Sequence, residues 1–282
     1  SILKACTKIG AIKKGIKIHS EILSRGLLMK DIVLGTTLVD MYAKCGALAE
    51  AQQVLERLPT RDVVAWNSLI SGYAQKGHDH ETLHCFARMQ MERLSPNEIT
   101  FNCILQACAS IGAIEKGQKL HDEILEGHFL ENNVVLGTSL VDMYAECGAL
   151  SEAREMFYLL PIRDVVSWTA LMVAFTEYEH GEEAFDCFDR MQCEGICPNN
   201  VTFVCVLKAC GISGASDKGK KIHSKIVVDE SLSQDVLLCN ALLDMYARCG
   251  MLAKAQEVFD DSPIRDVVSW NALISGYAHL GE

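Results

Sequence analysis

The sequence predicts an all-α protein, a right-handed α-solenoid of helix-turn-helix repeats. Three observations lead there. The three tryptophans, Trp66, Trp168 and Trp270, recur every 102 residues. The five prolines keep the same period, as Pro59, Pro161 and Pro263 and as Pro96 and Pro198. So do His19, His121 and His223. Within the period the apolar spacing is helical, and no run alternates with period two for long enough to argue a sheet.

The block divides further. Asp62, Asn97, Asn133, Asp164, Asn199, Asp235 and Asp266 each close a shorter unit, at spacings of 35, 36 and 31 residues in rotation. The complete units are 32–62, 63–97, 98–133, 134–164, 165–199, 200–235 and 236–266. Residues 1–31 and 267–282 are cut units of the same single array. In 134–164, Leu136, Leu140 and Met143 mark one face of a first helix. Ala149, Ala153, Met156, Phe157 and Leu160 mark a second. Gly148 separates the two, and Pro161 stops the second. Each unit is thus a helical hairpin. One hairpin cannot bury its own apolar faces, so neighbours are expected to stack into a superhelix with a concave groove.

Composition narrows the function classes. The 282 residues are 49% hydrophobic and 22% charged, enough apolar material to exclude global disorder. The net charge is −11, whereas a non-specific polyanion binder leans the other way. No stretch approaches the ~20 unbroken apolar residues of a membrane span, so no membrane partner is expected. The opening Ser1-Ile2-Leu3-Lys4-Ala5-Cys6 falls in the middle of a repeat motif rather than in a targeting segment. The chain is therefore expected to be part of a longer protein.

Thirteen cysteines suggest metal or disulfide chemistry, but the period absorbs ten of them. Cys6, Cys108 and Cys210 are equivalents, as are Cys45, Cys147 and Cys249, then Cys85 and Cys187, then Cys103 and Cys205. Cys193, Cys197 and Cys239 stand outside it. Cys193 and Cys197 offer two thiolates, yet no other pair has metal spacing, so neither a metal nor another cofactor is expected. Many free thiols point to a reducing compartment.

His19-Ser20-Glu21 and His121-Asp122-Glu123 both read H-x-E, the zinc-and-acid half of a deaminase site. The completing C-x-x-C occurs nowhere, and the third copy, His223-Ser224-Lys225, lacks the acid. These histidines are read as repeat positions in a second helix, and no catalysis is expected.

Units of 31, 35 and 36 residues in rotation resemble the pentatricopeptide repeat (PPR) family, and more narrowly its plant PLS subclass of standard (P), long (L) and short (S) units. Val165-Val166-Ser167-Trp168-Thr169-Ala170-Leu171 opens a P-like unit, and Gly195-Ile196-Cys197-Pro198-Asn199 closes it. Val201-Thr202-Phe203 with Leu207-Lys208-Ala209-Cys210 opens an L-like unit. Leu243-Asp244-Met245-Tyr246-Ala247-Arg248-Cys249-Gly250 and Pro263-Ile264-Arg265-Asp266 mark an S-like unit. In this scheme 1–31, 98–133 and 200–235 are L-like, 32–62, 134–164 and 236–266 S-like, and 63–97, 165–199 and 267–282 P-like.

The resemblance implies sequence-specific binding of single-stranded RNA, one base per unit, with chain and RNA parallel. It assigns base choice to the fifth and last residues of a unit, and makes the second residue an apolar wall between bases. The walls are Val33, Val64, Ile99, Val135, Val166, Val201, Leu237 and Val268. The fifth residues are Thr36, Asn67, Asn102, Thr138, Thr169, Val204, Asn240 and Asn271. Asp31 closes the cut first unit, and the other last residues are the seven named above.

A last-position Asp only accepts, which suits G and U; Asn can donate, which suits A and C. The implied reading is G for Thr36/Asp62, C or less well U for Asn67/Asn97, and G for Thr138/Asp164. It is A for Thr169/Asn199 and U for Asn240/Asp266. Asn102/Asn133 leans to a pyrimidine, and Val204/Asp235 discriminates little. The expected target is 5′-G-(C/U)-n-G-A-n-U-3′. The same Asp and Asn residues also suit helix N-caps, worth about 1 kcal/mol each.

On the rim, Lys44 and Arg248 suit phosphates, but Glu146 holds the equivalent place between them. Lys4, Lys13, Lys14, Lys17, Lys218, Lys220 and Lys221 sit on L-like units. The acidic balance predicts a shallow salt dependence. By resemblance, PLS proteins are specificity parts of organellar C-to-U RNA editing factors in chloroplasts or mitochondria, and L-like units dock accessory editing factors. The rival readings are a protein-binding solenoid scaffold and an enzyme built on the H-x-E pairs.

Overall fold

The computed structural model describes residues 2–28, 31–131 and 133–280. These fold as α-helices, with no strand among the described residues. The chain forms two compact units, Ser1–Cys147 and Gly148–Glu282.

In the first unit, α1 (Ile2–Lys8), α3 (Ile32–Lys44), α5 (Val63–Gln75), α7 (Glu98–Ser110) and α9 (Val134–Glu146) each pack on the next, forming one row. The second helices of the hairpins, α2 (Ile12–Ser24), α4 (Leu48–Arg57), α6 (Asp79–Met91) and α8 (Ile114–Glu126), back that row. The second unit opens with α10 (Leu150–Leu159). Its row is α11 (Val165–Glu177), α13 (Asn200–Ser213), α16 (Val236–Arg248) and α18 (Val267–Leu280). It is backed by α12 (Gly181–Cys193), α14 (Ser216–Val228), the short α15 (Glu230–Ser233) and α17 (Leu252–Asp261).

Local chemistry places the helix ends. Gly46 turns α3 into α4 at φ +78°, a left-handed backbone that a Cβ disfavours. Its N–H bonds Ala43 O, and the next N–H bonds Tyr42 O, which satisfies the last carbonyls of α3. At the other end α4 stops at Arg57, and Leu58 is extended (φ −66°, ψ 135°), as Pro59 after it demands. Leu160 before Pro161 does the same (φ −62°, ψ 128°).

Burial of the repeated apolar positions holds the hairpins together. Leu136, Leu140, Met143, Ala153 and Phe157 are fully buried, as the helical spacing anticipates. Trp66 and Trp168 are also fully buried. Trp66 Nε1 donates to Glu92 Oε2 at 2.9 Å, and Arg61 pairs with the same carboxylate. The row of first helices meets its backing helices closely. A Cβ on Gly117 would lie 2.3 Å from Met143 Sδ, so glycine there makes the hole that the methionine fills.

The periodic cysteines sit as small apolar residues. Cys6, Cys85, Cys108, Cys187, Cys205 and Cys210 are buried and free. Burial pushes the Cys187 and Cys210 thiols up to about 12. A thiol held protonated is neither nucleophile nor metal ligand at neutral pH. Cys193 and Cys197 are exposed and free.

Candidate nucleic-acid interface

The first helix of each hairpin begins with the residue that closes the preceding segment. Each of those residues is an N-cap. Oδ1 accepts from the backbone N–H of Leu34 for Asp31, of Ala65 for Asp62 (2.8 Å) and of Thr100 for Asn97 (3.2 Å). It does so from Leu136 for Asn133, Ser167 for Asp164 (2.9 Å), Thr202 for Asn199 (2.9 Å) and Ser269 for Asp266 (2.9 Å). Asp235 accepts from both Leu237 and Leu238. The capping expectation is met. Except in Asp235 and Asp266, whose second oxygens accept from Asn200 and Asn240, capping engages one terminal atom and leaves the other, a carboxylate oxygen in Asp or the NH₂ in Asn, for a ligand.

One residue into each helix stands a large exposed aliphatic side chain. Val33, Val64, Ile99, Val135, Val166, Val201, Leu237 and Val268 are 52–75% exposed. All but Val268, whose helix also exposes Trp270 and Ile274, belong to first helices whose later large apolar residues are mostly buried. A repeated apolar side chain held in solvent is a folding cost without a ligand, and a flat wall with one.

The fifth positions lie deeper than a freely accessible groove residue would. Asn67, Thr138, Thr169 and Asn240 are only 6–8% exposed. Thr36, Asn102 and Val204 are half-buried, and Asn271 is exposed. Several touch the residues with which the sequence pairs them. Asn67 Nδ2 donates to Asn97 Oδ1 at 2.8 Å. Asn240 Nδ2 donates to both oxygens of Asp266 at 3.3 Å. Thr169 reaches Asn199 through Thr202, with Thr169 and Thr202 hydroxyls 2.9 Å apart and Thr202 donating to Asn199 Oδ1 at 2.9 Å. Thr138 turns its hydroxyl back to Val134 O at 2.9 Å. Thr138 lies in the first compact unit and Asp164 in the second.

Three fifth-position atoms are buried without a partner: Thr36 Oγ1, Asn102 Oδ1 and Asn240 Oδ1. Such atoms cost about 1–3 kcal/mol each unless a ligand or water satisfies them. Asp235, by contrast, has its second oxygen taken by Asn200 Nδ2 at 2.5 Å, beside the apolar Val204. That pair has little left to offer a base.

In the first compact unit these parts enclose a groove of about 610 Å³. Val33 and Val64 line it together with Thr36 and Asp62, and Lys4, Lys8 and Lys44 add cationic side chains. Lys44 Nζ is 2.8 Å from Asp40, a pairing that recurs as Arg248 with Asp244 at 2.8 Å. In α9 the same register holds Asp142 and Glu146. Burial, with the Glu146 charge adding to it, pushes the Asp142 carboxyl up to about 6.

The H-x-E histidines are committed elsewhere. His19, His121 and His223 share Nδ1 hydrogen bonds with the hydroxyls of Tyr42, Tyr144 and Tyr246 at 3.0, 2.9 and 2.9 Å. One motif lies outside the sequence reading above. His80-Glu81-Thr82-Leu83-His84 has the H-E-x-x-H spacing of a zinc-binding helix. The structure places it on α6 with both histidines exposed. No group of three metal-ligating side chains occurs among the described residues, so the pair lacks the third ligand of a catalytic zinc.

Comparison with known proteins adds three findings. The PPR repeat family model matches residues 61–110 and 163–211. The PPR repeat model matches 36–63, 99–129, 138–164, 238–263 and 268–282. A chloroplastic pentatricopeptide repeat-containing protein of Arabidopsis thaliana is 39% identical over 259 residues, 92% of this chain and 42% of the relative. A putative mitochondrial one from the same plant is 37% identical over 259 residues, 92% of this chain and 41% of the relative. The chain thus spans about two fifths of the length of these relatives. Among solved structures, the pentatricopeptide repeat protein PPR10 in complex with an 18-nt psaJ RNA element superposes with a TM-score of 0.79 at 19% identity. That match covers 94% of this chain and 40% of PPR10. A structure of PPR10 from maize gives 0.76 at 19% identity, over 95% of this chain and 39% of that one.

Proposed function

Because the chain belongs to the pentatricopeptide repeat family, we propose that it binds single-stranded RNA by sequence, one base to each repeat. The carrying observation is the ladder of exposed aliphatic residues at the second position, in units whose fifth and last residues are polar everywhere but at Val204. Bases stack between successive walls such as Val33 and Val64, and the fifth and last residues meet their edges. Read parallel to the chain, the target is 5′-G-(C/U)-n-G-A-n-U-3′. The organelles in the relatives' names support a chloroplast or mitochondrial location, and the rotation of 31-, 35- and 36-residue units supports a role there as the specificity part of a C-to-U editing factor. The L-like backing helices expose Leu23, Leu125 and Val227 at equivalent positions, faces suited to accessory editing factors.

The test uses Asp62→Asn, which keeps the N-cap. Wild-type protein should prefer G at the first base of the target, and the variant should prefer A, by fluorescence anisotropy with four probes differing only there. An unchanged preference would rule out coded readout. Absence of binding to any probe would favour the scaffold reading that the −11 charge supports.

A further inference from the structure

The geometry points to Thr100 and Thr202 as specificity-determining residues for the repeat that precedes each of them. Neither is a fifth, last or second position. Each is the third residue of an L-like unit and is fully buried. The inference rests on the coded reading above and deepens it.

Of two acceptors in reach, Asn67 Oδ1 at 2.7 Å and Asn97 Oδ1 at 3.1 Å, Thr100 Oγ1 donates to the nearer, Asn67, and it accepts from the Asn97 backbone N–H at 3.1 Å. One of the two lone pairs of Asn67 Oδ1 is therefore taken by a fully buried hydroxyl. Asn67 Nδ2 gives one hydrogen to Asn97 Oδ1, which also accepts from Thr100 N–H. What remains for a base is one hydrogen on Asn67 Nδ2 and two on Asn97 Nδ2. Donors outnumber the one remaining Asn67 Oδ1 lone pair. Cytosine, whose N3 and O2 accept, fits this face, and uracil, whose N3–H donates, does not. Thr100 thus narrows the C-or-U expectation for unit 63–97 to C.

Thr202 acts in the other P-like unit. It donates its one hydroxyl proton to Asn199 Oδ1 (2.9 Å) and accepts from Asn199 N–H (3.2 Å). The Thr169 hydroxyl is 2.9 Å away, and with the Thr202 proton given to Asn199 it is Thr169 that donates to Thr202. The lone pairs of Thr169 turn to the site beside the NH₂ of Asn199. One acceptor next to one donor matches N6–H and N1 of adenine.

The remaining units supply natural contrasts. Where the third residue of the next unit has no hydroxyl, as Ala65 after Thr36 and Leu136 after Asn102, the fifth-position oxygen is buried and unpartnered. Ser269 donates to Asp266 O instead of to Asn240, whose Oδ1 also stays open. An unpartnered Asn240 Oδ1, buried beside the carboxylate of Asp266, gives an acceptor pair, which suits the N3–H of uracil. Asn67 and Asn240 are thus the same residue type presenting opposite faces, and the neighbour in the next repeat makes the difference.

The experiment uses the full chain with Thr100→Val, Thr100→Ser and Asn97→Asp. Probes differ only in the second base of the target. Wild type should favour C over U by roughly tenfold, the size of one charge-neutral hydrogen bond made against one broken. Thr100→Val should bring that ratio to about twofold or less while leaving the G preference at the first base unchanged. Thr100→Ser should restore the ratio. If Thr100→Val weakens all probes alike and keeps the C:U ratio, Thr100 is only structural and the inference fails. Asn97→Asp separates this from failure of the coded reading: it should invert the preference towards U. An Asn97→Asp protein with an unmoved ratio would sink the code itself and this inference with it.

Discussion

The imidazole of His121 meets the phenol of Tyr144 edge-on, ring centroids 5.7 Å apart, with Nδ1 2.9 Å from the hydroxyl. The pair joins α8 to α9, a backing helix to the row. The same clasp recurs as His19 with Tyr42 and His223 with Tyr246. A histidine that resembles half of a zinc motif in the sequence is therefore a piece of hairpin packing.

The clasps predict acid sensitivity. Burial lowers the pKa of His19, His121 and His223 below the ordinary 6.5. The folded state then binds fewer protons than the unfolded chain, so their contribution is complete above about 6.5 and lost as pH falls below it. Asp142, held up at about 6, acts in the opposite sense: its penalty eases as pH falls through that value. Thermal unfolding of the Asp142→Asn protein isolates the histidines. Its Tm should fall between pH 7.5 and 5.5, and His121→Phe should reduce the fall. A Tm independent of pH in that background would contradict the assignment.

Glu146 stands where Lys44 and Arg248 stand in the other S-like helices. Glu146→Lys should recreate the Asp–Lys pairing of α3 and remove a negative charge from the RNA path. Affinity at low salt should rise, roughly 3- to 10-fold, and the salt slope should steepen by about one phosphate contact. Titration of the target RNA at several salt concentrations checks both. Equal affinities for the two proteins would place the phosphate chain away from α9.

The wall residues predict a split between folding and binding. Val64 is exposed, so Val64→Ala should change stability by no more than about 0.5 kcal/mol. RNA affinity should fall several-fold, with base preference intact, because a wall reads no edge. Val64→Asp should abolish binding near that repeat. Denaturant melts paired with anisotropy titrations decide it; a stability loss equal to the binding loss would mean Val64 is packing rather than contact.

Much of the molecule was legible in the chain. A strict period exposes every hairpin, because equivalent residues announce their equivalence: Trp66 and Trp168 share a buried position, and Pro59 and Pro161 share a helix stop. The capping role of Asp62 and Asn97 followed from residue type alone. Contacts between elements did not. His19 and Tyr42 are each visible as repeat positions, yet nothing local says that they touch. The depth of Asn67 was likewise hidden, since burial depends on how closely neighbouring helices approach. Thr100 was missed because it belongs to one repeat and works on another. His80 and His84 show the reverse case, a recognisable spacing that the fold leaves on an open helix surface.

The closing residue of each repeat anchors a helix with one oxygen, and among the described residues its other end takes no side-chain hydrogen bond except in Asp235 and Asp266. Aspartate and asparagine do the anchoring equally well, so exchanging them leaves the architecture undisturbed while changing what is displayed. Vocabulary and framework are thereby uncoupled. Under the proposed code, a lineage of such proteins can drift from one message to another by single exchanges, without passing through an unfolded ancestor.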